Sequence, residues 1–77
     1  MVDEIDDGME NQVYKVVEIV GTSSESVSNA IDNAIARASE TVDNIGWFEV
    51  MEQRGRVEDN EVAEFQVKIK VGFRLED

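Results

Sequence analysis

"EVAEFQVKIKVGFRL", Glu61 through Leu75, alternates along its whole length. The odd positions are Ala63, Phe65, Val67, Ile69, Val71, Phe73 and Leu75. The even ones are Val62, Glu64, Gln66, Lys68, Lys70, Gly72 and Arg74. Successive strand side chains point to opposite faces, so this stretch predicts one long strand with an apolar face and a polar face. At about 3.3 Å per residue it spans roughly 50 Å. Something must cover the apolar face.

The cover lies upstream. In "TSSESVSNAIDNAIARASETVDNIG", Val27, Ala30, Ile31, Ala34, Ile35, Ala38, Val42 and Ile45 recur at spacings of three and four. That pattern gives one apolar stripe on one helix. Ser23 or Ser24 is the expected N-cap, with Glu25 near the positive end of the helix dipole, and Gly46 marks the far end. Such a helix, about nineteen residues at 1.5 Å each, covers about 28 Å, far less than the strand. The surplus strand must curl around the helix or extend into a neighbouring subunit.

Before the helix, "VYKVVEIVG" (Val13–Gly21) is rich in β-branched residues and reads as a first strand ending at Gly21. After it, "WFEVMEQR" (Trp47–Arg54) reads as a second strand, and Gly55 with the polar "RVEDN" forms the connection to the third. The expected fold is therefore α+β: a β-α-β-β subunit whose three-stranded, largely antiparallel sheet wraps around one helix. Residues 1–12, with Asp3, Glu4, Asp6, Asp7 and Glu10 and no basic residue, are expected to form an acidic disordered tail ahead of a domain at 13–77.

The chain has 77 residues, no cysteine and no histidine. Disulfides, thiolate or imidazole metal sites and catalysis by Cys or His are excluded. No apolar run approaches membrane-spanning length, and the N-terminus is acidic where a signal peptide would be basic. A reducing, cytoplasmic setting fits best. The net charge of -11 repels phosphate backbones and anionic lipid, which argues against nucleic-acid or membrane partners. It fits either a saline cytoplasm or a simple acidic bias.

Trp47 and Phe48 are adjacent, so only one of them faces the helix. Phe48 and Val50 match the face that the helix must cover, leaving Trp47, Glu49, Met51 and Gln53 on the outer face. Paired as a hairpin, the third strand adds Glu64, Gln66, Lys68 and Lys70 to that face. An exposed indole beside an amide suits a flat heterocycle, the ring stacking and the amide reading a polar edge. It equally suits packing between subunits.

Four blocks in this order, "VYKVVEIVGTSSES", "AIARASETV", "WFEV" with the following "RG", and "FQVKIKVGFRLE", resemble the dodecins, a family of small flavin-binding proteins. The resemblance runs from Val13 to Leu75. It implies a hollow homododecamer of cubic symmetry with helices outward and sheets inward. It implies Trp47 stacked on the isoalloxazine ring of a flavin, a second tryptophan and flavin brought in by a two-fold axis, and Gln66 hydrogen-bonded to the ring's polar edge. Arg54, followed by Gly55, matches an arginine placed near the phosphate of FMN, which favours FMN over riboflavin. Lys68 and Arg74 are secondary candidates for the same phosphate or for ion pairs between subunits. The implied role is flavin storage with photoprotective quenching and no enzymatic activity. The alternatives are a carrier or cage for another nucleotide-like cofactor such as coenzyme A, and a flavoenzyme, for which no acid-base pair is present.

Overall fold

A computed structural model of the chain describes residues 11–76. Residues 1–10 of the segment expected to form an acidic tail at 1–12 lie outside the described residues. The elements are β1 (Tyr14–Ser23), α1 (Val27–Ala38), β2 (Ile45–Glu58) and β3 (Glu61–Arg74). They form the expected β-α-β-β subunit. The sheet order is β1-β3-β2 with both pairings antiparallel. The long alternating strand is thus the central one, which explains why its apolar face is the most completely buried.

Val67, Ile69 and Val71 of β3 are fully buried against Ala30 and Ala34 of α1, flanked by Val17, Ile19, Val27, Ile31, Ile35 and Ile45. The alanines let the helix approach closely. At Gly21 a Cβ would lie 2.1 Å from the Ala30 carbonyl oxygen and 2.8 Å from the Ala34 Cβ, so only glycine fits beneath the helix. Gly21 therefore does not end β1, which runs on to Ser23.

The helix is capped by Ser26, not by Ser23 or Ser24. The Asn29 N–H donates to Ser26 Oγ at 2.9 Å, a side chain satisfying one of the free donors of the first turn. Ser23 instead organises the turn ahead of the cap: its Oγ accepts from the N–H groups of Glu25 (2.9 Å) and Ser26 (3.3 Å) and donates to Asn29 Oδ1 (2.7 Å). Glu25 consequently precedes the helix. At the other end α1 stops at Ala38, seven positions before the end of the apolar stripe at Ile45. Val42 still donates its N–H to Ala38 O at 2.9 Å, and Asn44 takes a left-handed conformation (φ 65°) that turns the chain into β2. Gly46 lies inside β2.

At 12 residues the helix is about 18 Å long and packs on β1 and β3. The helix-side residues Phe48 and Val50 of β2, expected to be covered, remain 46% and 41% exposed. An open cleft of about 420 Å³ lies between Phe48 and the helix residues Ile31 and Ile35. Beyond Phe65 the β2–β3 hairpin has no β1 partner and projects as two strands, giving principal extents of 61 × 23 × 15 Å. Its connection is shorter than "RVEDN". Only Asp59 and Asn60 turn, with φ of 53° and 65°, the pair of left-handed residues that a two-residue hairpin loop demands.

Three register shifts interrupt β2, at Gly46, at Met51 and between Arg56 and Val57. The shift at Met51 matters most. Trp47 and Glu49 lie opposite Gly72 and Lys70, on the outer face. Past the bulge Glu52 and Arg54 lie opposite Lys68 and Gln66, on that same face, while Gln53 faces Val67 on the helix side. The expected outer position of Gln53 is thereby corrected: an extra residue reverses the parity downstream.

Candidate functional site

Trp47 is 43% exposed and opposite Gly72, on the sheet face turned away from α1. A Cβ on Gly72 would lie 2.3–2.4 Å from Cζ2, Cε2 and Cη2 of the indole. These are consecutive atoms of the six-membered ring. Near-equal distances to all three require the face of the ring, not its edge, to lie over the glycine. A glycine inside a strand often marks such a close approach. Across β3, Tyr14 lies opposite Arg74, and its ring centroid is 5.0 Å from that of Trp47 with the planes at 56°. The tilted geometry is a favourable aromatic contact. Neither Tyr14 nor Gly72 was singled out by sequence pattern, although a glycine on the polar face of the best strand was the available signal.

Gln66 and Arg54 meet at the other end of the same face. Arg54 Nε donates to Gln66 Oε1 at 3.0 Å, and Gln66 Nε2 donates to Glu64 Oε1 at 3.0 Å. The Arg54 guanidinium also stands 3.5 Å from Glu52 and is well exposed. Arg56 is held by Glu58 and, at 3.5 Å, by Glu64. The Glu64 carboxyl is held below its ordinary range, chiefly by the hydrogen bond from Gln66 and then by Arg56, with desolvation opposing. Lys68 sits between the two ends, 3.5 Å from Glu18. Arg74 is beside the aromatic pair, 3.6 Å from Glu76. These exposed ion pairs orient side chains more than they stabilise the fold.

The predicted residues therefore share one face but form two groups: Trp47 with Arg74 at one end, Arg54 with Gln66 at the other, and Lys68 between. In the register, Gly72 and Gln66 are six residues apart on β3, about 20 Å. The indole and the amide are not neighbours within one chain, because the bulged hairpin pairs Trp47 with Gly72. No single tricyclic ring reaches both. The face they share also differs in charge from the rest of the chain. Arg54, Arg56, Lys68, Lys70 and Arg74, five of the seven basic residues, stand on it against six carboxylates, Glu18, Glu49, Glu52, Glu58, Glu61 and Glu64, so that the face is close to neutral. The excess negative charge lies elsewhere.

The family model described as Dodecin matches residues 13–76. The chain belongs to the dodecin family. A dodecin of Thermus thermophilus is 52% identical over 66 residues, covering 86% of this chain and 96% of that one. The structure of a dodecin from Streptomyces coelicolor superposes with a TM-score of 0.87 at 51% identity, covering 90% of this chain and 99% of the other. A more distant relative, the calcium dodecin of Mycobacterium tuberculosis, is 36% identical over 63 residues, 82% of this chain and 89% of that one. The structure of that protein, described as calcium-chelating, aligns with a TM-score of 0.74. Dodecin membership implies self-assembly, which agrees with the bare apolar residues of β2. No helix among the described residues is long and apolar enough to cross a membrane.

Proposed function

We propose that this dodecin is a non-enzymatic, cytoplasmic protein that stores and sequesters flavin, FMN ahead of riboflavin, as a homododecamer. The isoalloxazine ring stacks on Trp47. The observation that carries this reading is the indole itself, laid with one face on Gly72 and half-exposed on the sheet face opposite the helix. A stacked aromatic pair contributes about 0.5–1.5 kcal/mol beyond the area it buries, and a second indole across a two-fold axis adds another such contact. Photo-excited flavin takes an electron from the indole and returns it within the pair. Fluorescence is quenched and no net redox change results.

The separation of Trp47 from Gln66 makes the binding site composite: the subunit that supplies the indole differs from the one that supplies the amide. After bonding Arg54 and Glu64, Gln66 retains one N–H and one lone pair, a donor and an acceptor for the polar edge of the ring. Arg54 supplies a fork for the phosphate of FMN, with Lys68 and Arg74 lowering the local negative potential. The near-neutral charge of the outer face supports an anionic ligand there despite the charge of the whole chain.

The test is a fluorescence titration of riboflavin and FMN into the wild type, Trp47→Ala and Arg54→Ala. The wild type quenches both flavins up to equimolar flavin and chain. Loss of two stacking contacts of about 1.4 kcal/mol each weakens binding by Trp47→Ala about a hundredfold. Arg54→Ala lowers FMN affinity about tenfold and leaves riboflavin binding in place. Undiminished affinity in Trp47→Ala sinks the proposal.

The calcium dodecin relative favours a second reading, a divalent-cation site. Among the described residues no group of three or more His, Cys, Asp or Glu side chains is placed to hold a metal ion, so on this reading the ligands come from more than one subunit. Calorimetric titration of calcium into the assembled protein separates the two.

A further inference from the structure

The geometry points to Gly72 and Tyr14 as positioning residues that fix the Trp47 indole in one orientation, with its far face open, before a planar ligand arrives. The identity of that ligand as a flavin rests on the function proposed above; the cradle itself does not.

Glycine is a poor choice for the interior of a central strand, since it adds no packing and leaves the backbone loose in the unfolded chain. Among the described residues of β3, position 72 is the sole glycine, and it lies directly opposite the tryptophan. Any Cβ there would enter the volume occupied by the ring, with Cζ2 only 2.3 Å away. The glycine therefore supplies a flat backbone floor on which one indole face rests.

Tyr14 supplies the wall. It reaches over from the opposite edge strand to place its ring centroid 5.0 Å from the indole, tilted by 56°. Gly46 borders that ring without being required by it, since a Cβ there would stand at ordinary van der Waals distance, 3.5 Å, from Tyr14 Cε2. Among the described residues the Tyr14 hydroxyl donates to the exposed Gln12 Oε1, at 3.2 Å, and the aromatic ring, not the hydroxyl, meets the indole. An exposed tryptophan otherwise samples several rotamers, and arresting them at the moment of binding weakens affinity. The floor and wall impose that order in advance.

The experiment compares the full-length wild type with Gly72→Ala, Tyr14→Ala and Tyr14→Phe. Two quantities are read: indole fluorescence anisotropy without ligand, and riboflavin affinity. Gly72→Ala and Tyr14→Ala each lower the anisotropy and weaken riboflavin binding about three- to tenfold, the cost of immobilising one side chain. Tyr14→Phe retains both. The thermal midpoint and far-ultraviolet circular dichroism of each variant are read alongside, so that a loss of affinity is told apart from a loss of fold. If Gly72→Ala fails to fold, the Tyr14 pair carries the test. Unchanged anisotropy in Tyr14→Ala and Gly72→Ala overturns the inference, as does a loss in Tyr14→Phe equal to that in Tyr14→Ala. A wild type that binds no flavin removes the proposed function, while the anisotropies still decide the cradle.

Discussion

Glu64 receives a hydrogen bond from Gln66 and another from Arg56, and both favour its ionised form. Its carboxyl in the folded chain therefore titrates below its ordinary range. A depressed folded value means that this carboxylate contributes stability above the ordinary glutamate range and loses it as the pH falls through the folded value. The effect is small, since Glu64 is solvated. Acid unfolding followed by circular dichroism checks it: Glu64→Gln shows a shallower loss of stability below the glutamate range than the wild type, and parallel curves refute the linkage. Trp47 was legible from parity alone, since two adjacent aromatics in a strand cannot share a face. Its contacts with Gly72 and Tyr14 were not, because they depend on the cross-strand register, which is set by a turn at Asp59 and Asn60 that the polar run did not single out; the two bulges between that turn and Trp47 cancel. The bulge at Met51 does bring Arg54 to the outer face beside Gln66, where unbroken alternation from Trp47 would have turned it toward the helix.

Among the elements, the helix leaves more uncovered than its apolar stripe suggested. The stripe at three- and four-residue spacing continues through Val42 and Ile45, yet these residues have left the helix; Ile45 packs against the core from β2. Periodicity records which residues reach the core and does not distinguish a helix from the turn that follows it. The shortened helix covers β1 and β3, and Phe48, Val50 and the cleft beside Ile31 and Ile35 are left open. Family membership implies self-assembly, and the hydrophobic effect favours covering that surface in it. Phe48→Asp places a charge in it and is expected to reduce the assembly to smaller species, measured by light scattering coupled to size-exclusion chromatography, while far-ultraviolet circular dichroism retains the strand signal. An intact assembly in that variant excludes this surface as an interface.

The described residues form an elongated body: their radius of gyration of 16.5 Å exceeds the about 11 Å of a compact domain of this length. Such a shape leaves much surface to be buried by assembly. Assembly concentrates a charge of -11 per chain, and repulsion between subunits opposes it. At about 0.1 M salt the screening length is about 10 Å, so added salt removes most of that repulsion. The thermal midpoint of the assembly is accordingly expected to rise between low and high sodium chloride, and FMN affinity to gain more than riboflavin affinity; a midpoint indifferent to salt contradicts the electrostatic account. The fold class was legible because alternation and helical spacing are both strong here, whereas the separation of Trp47 from Gln66 along the sheet was not, since it depends on the 20 Å scale of the paired hairpin. The most direct measurement is a crystal structure of the assembled protein saturated with riboflavin. The account predicts the flavin ring parallel to the Trp47 indole, at van der Waals contact on the face away from Gly72, with Gln66 reaching its polar edge from another subunit. A flavin bound elsewhere, or an indole closed off by protein on both faces, contradicts it.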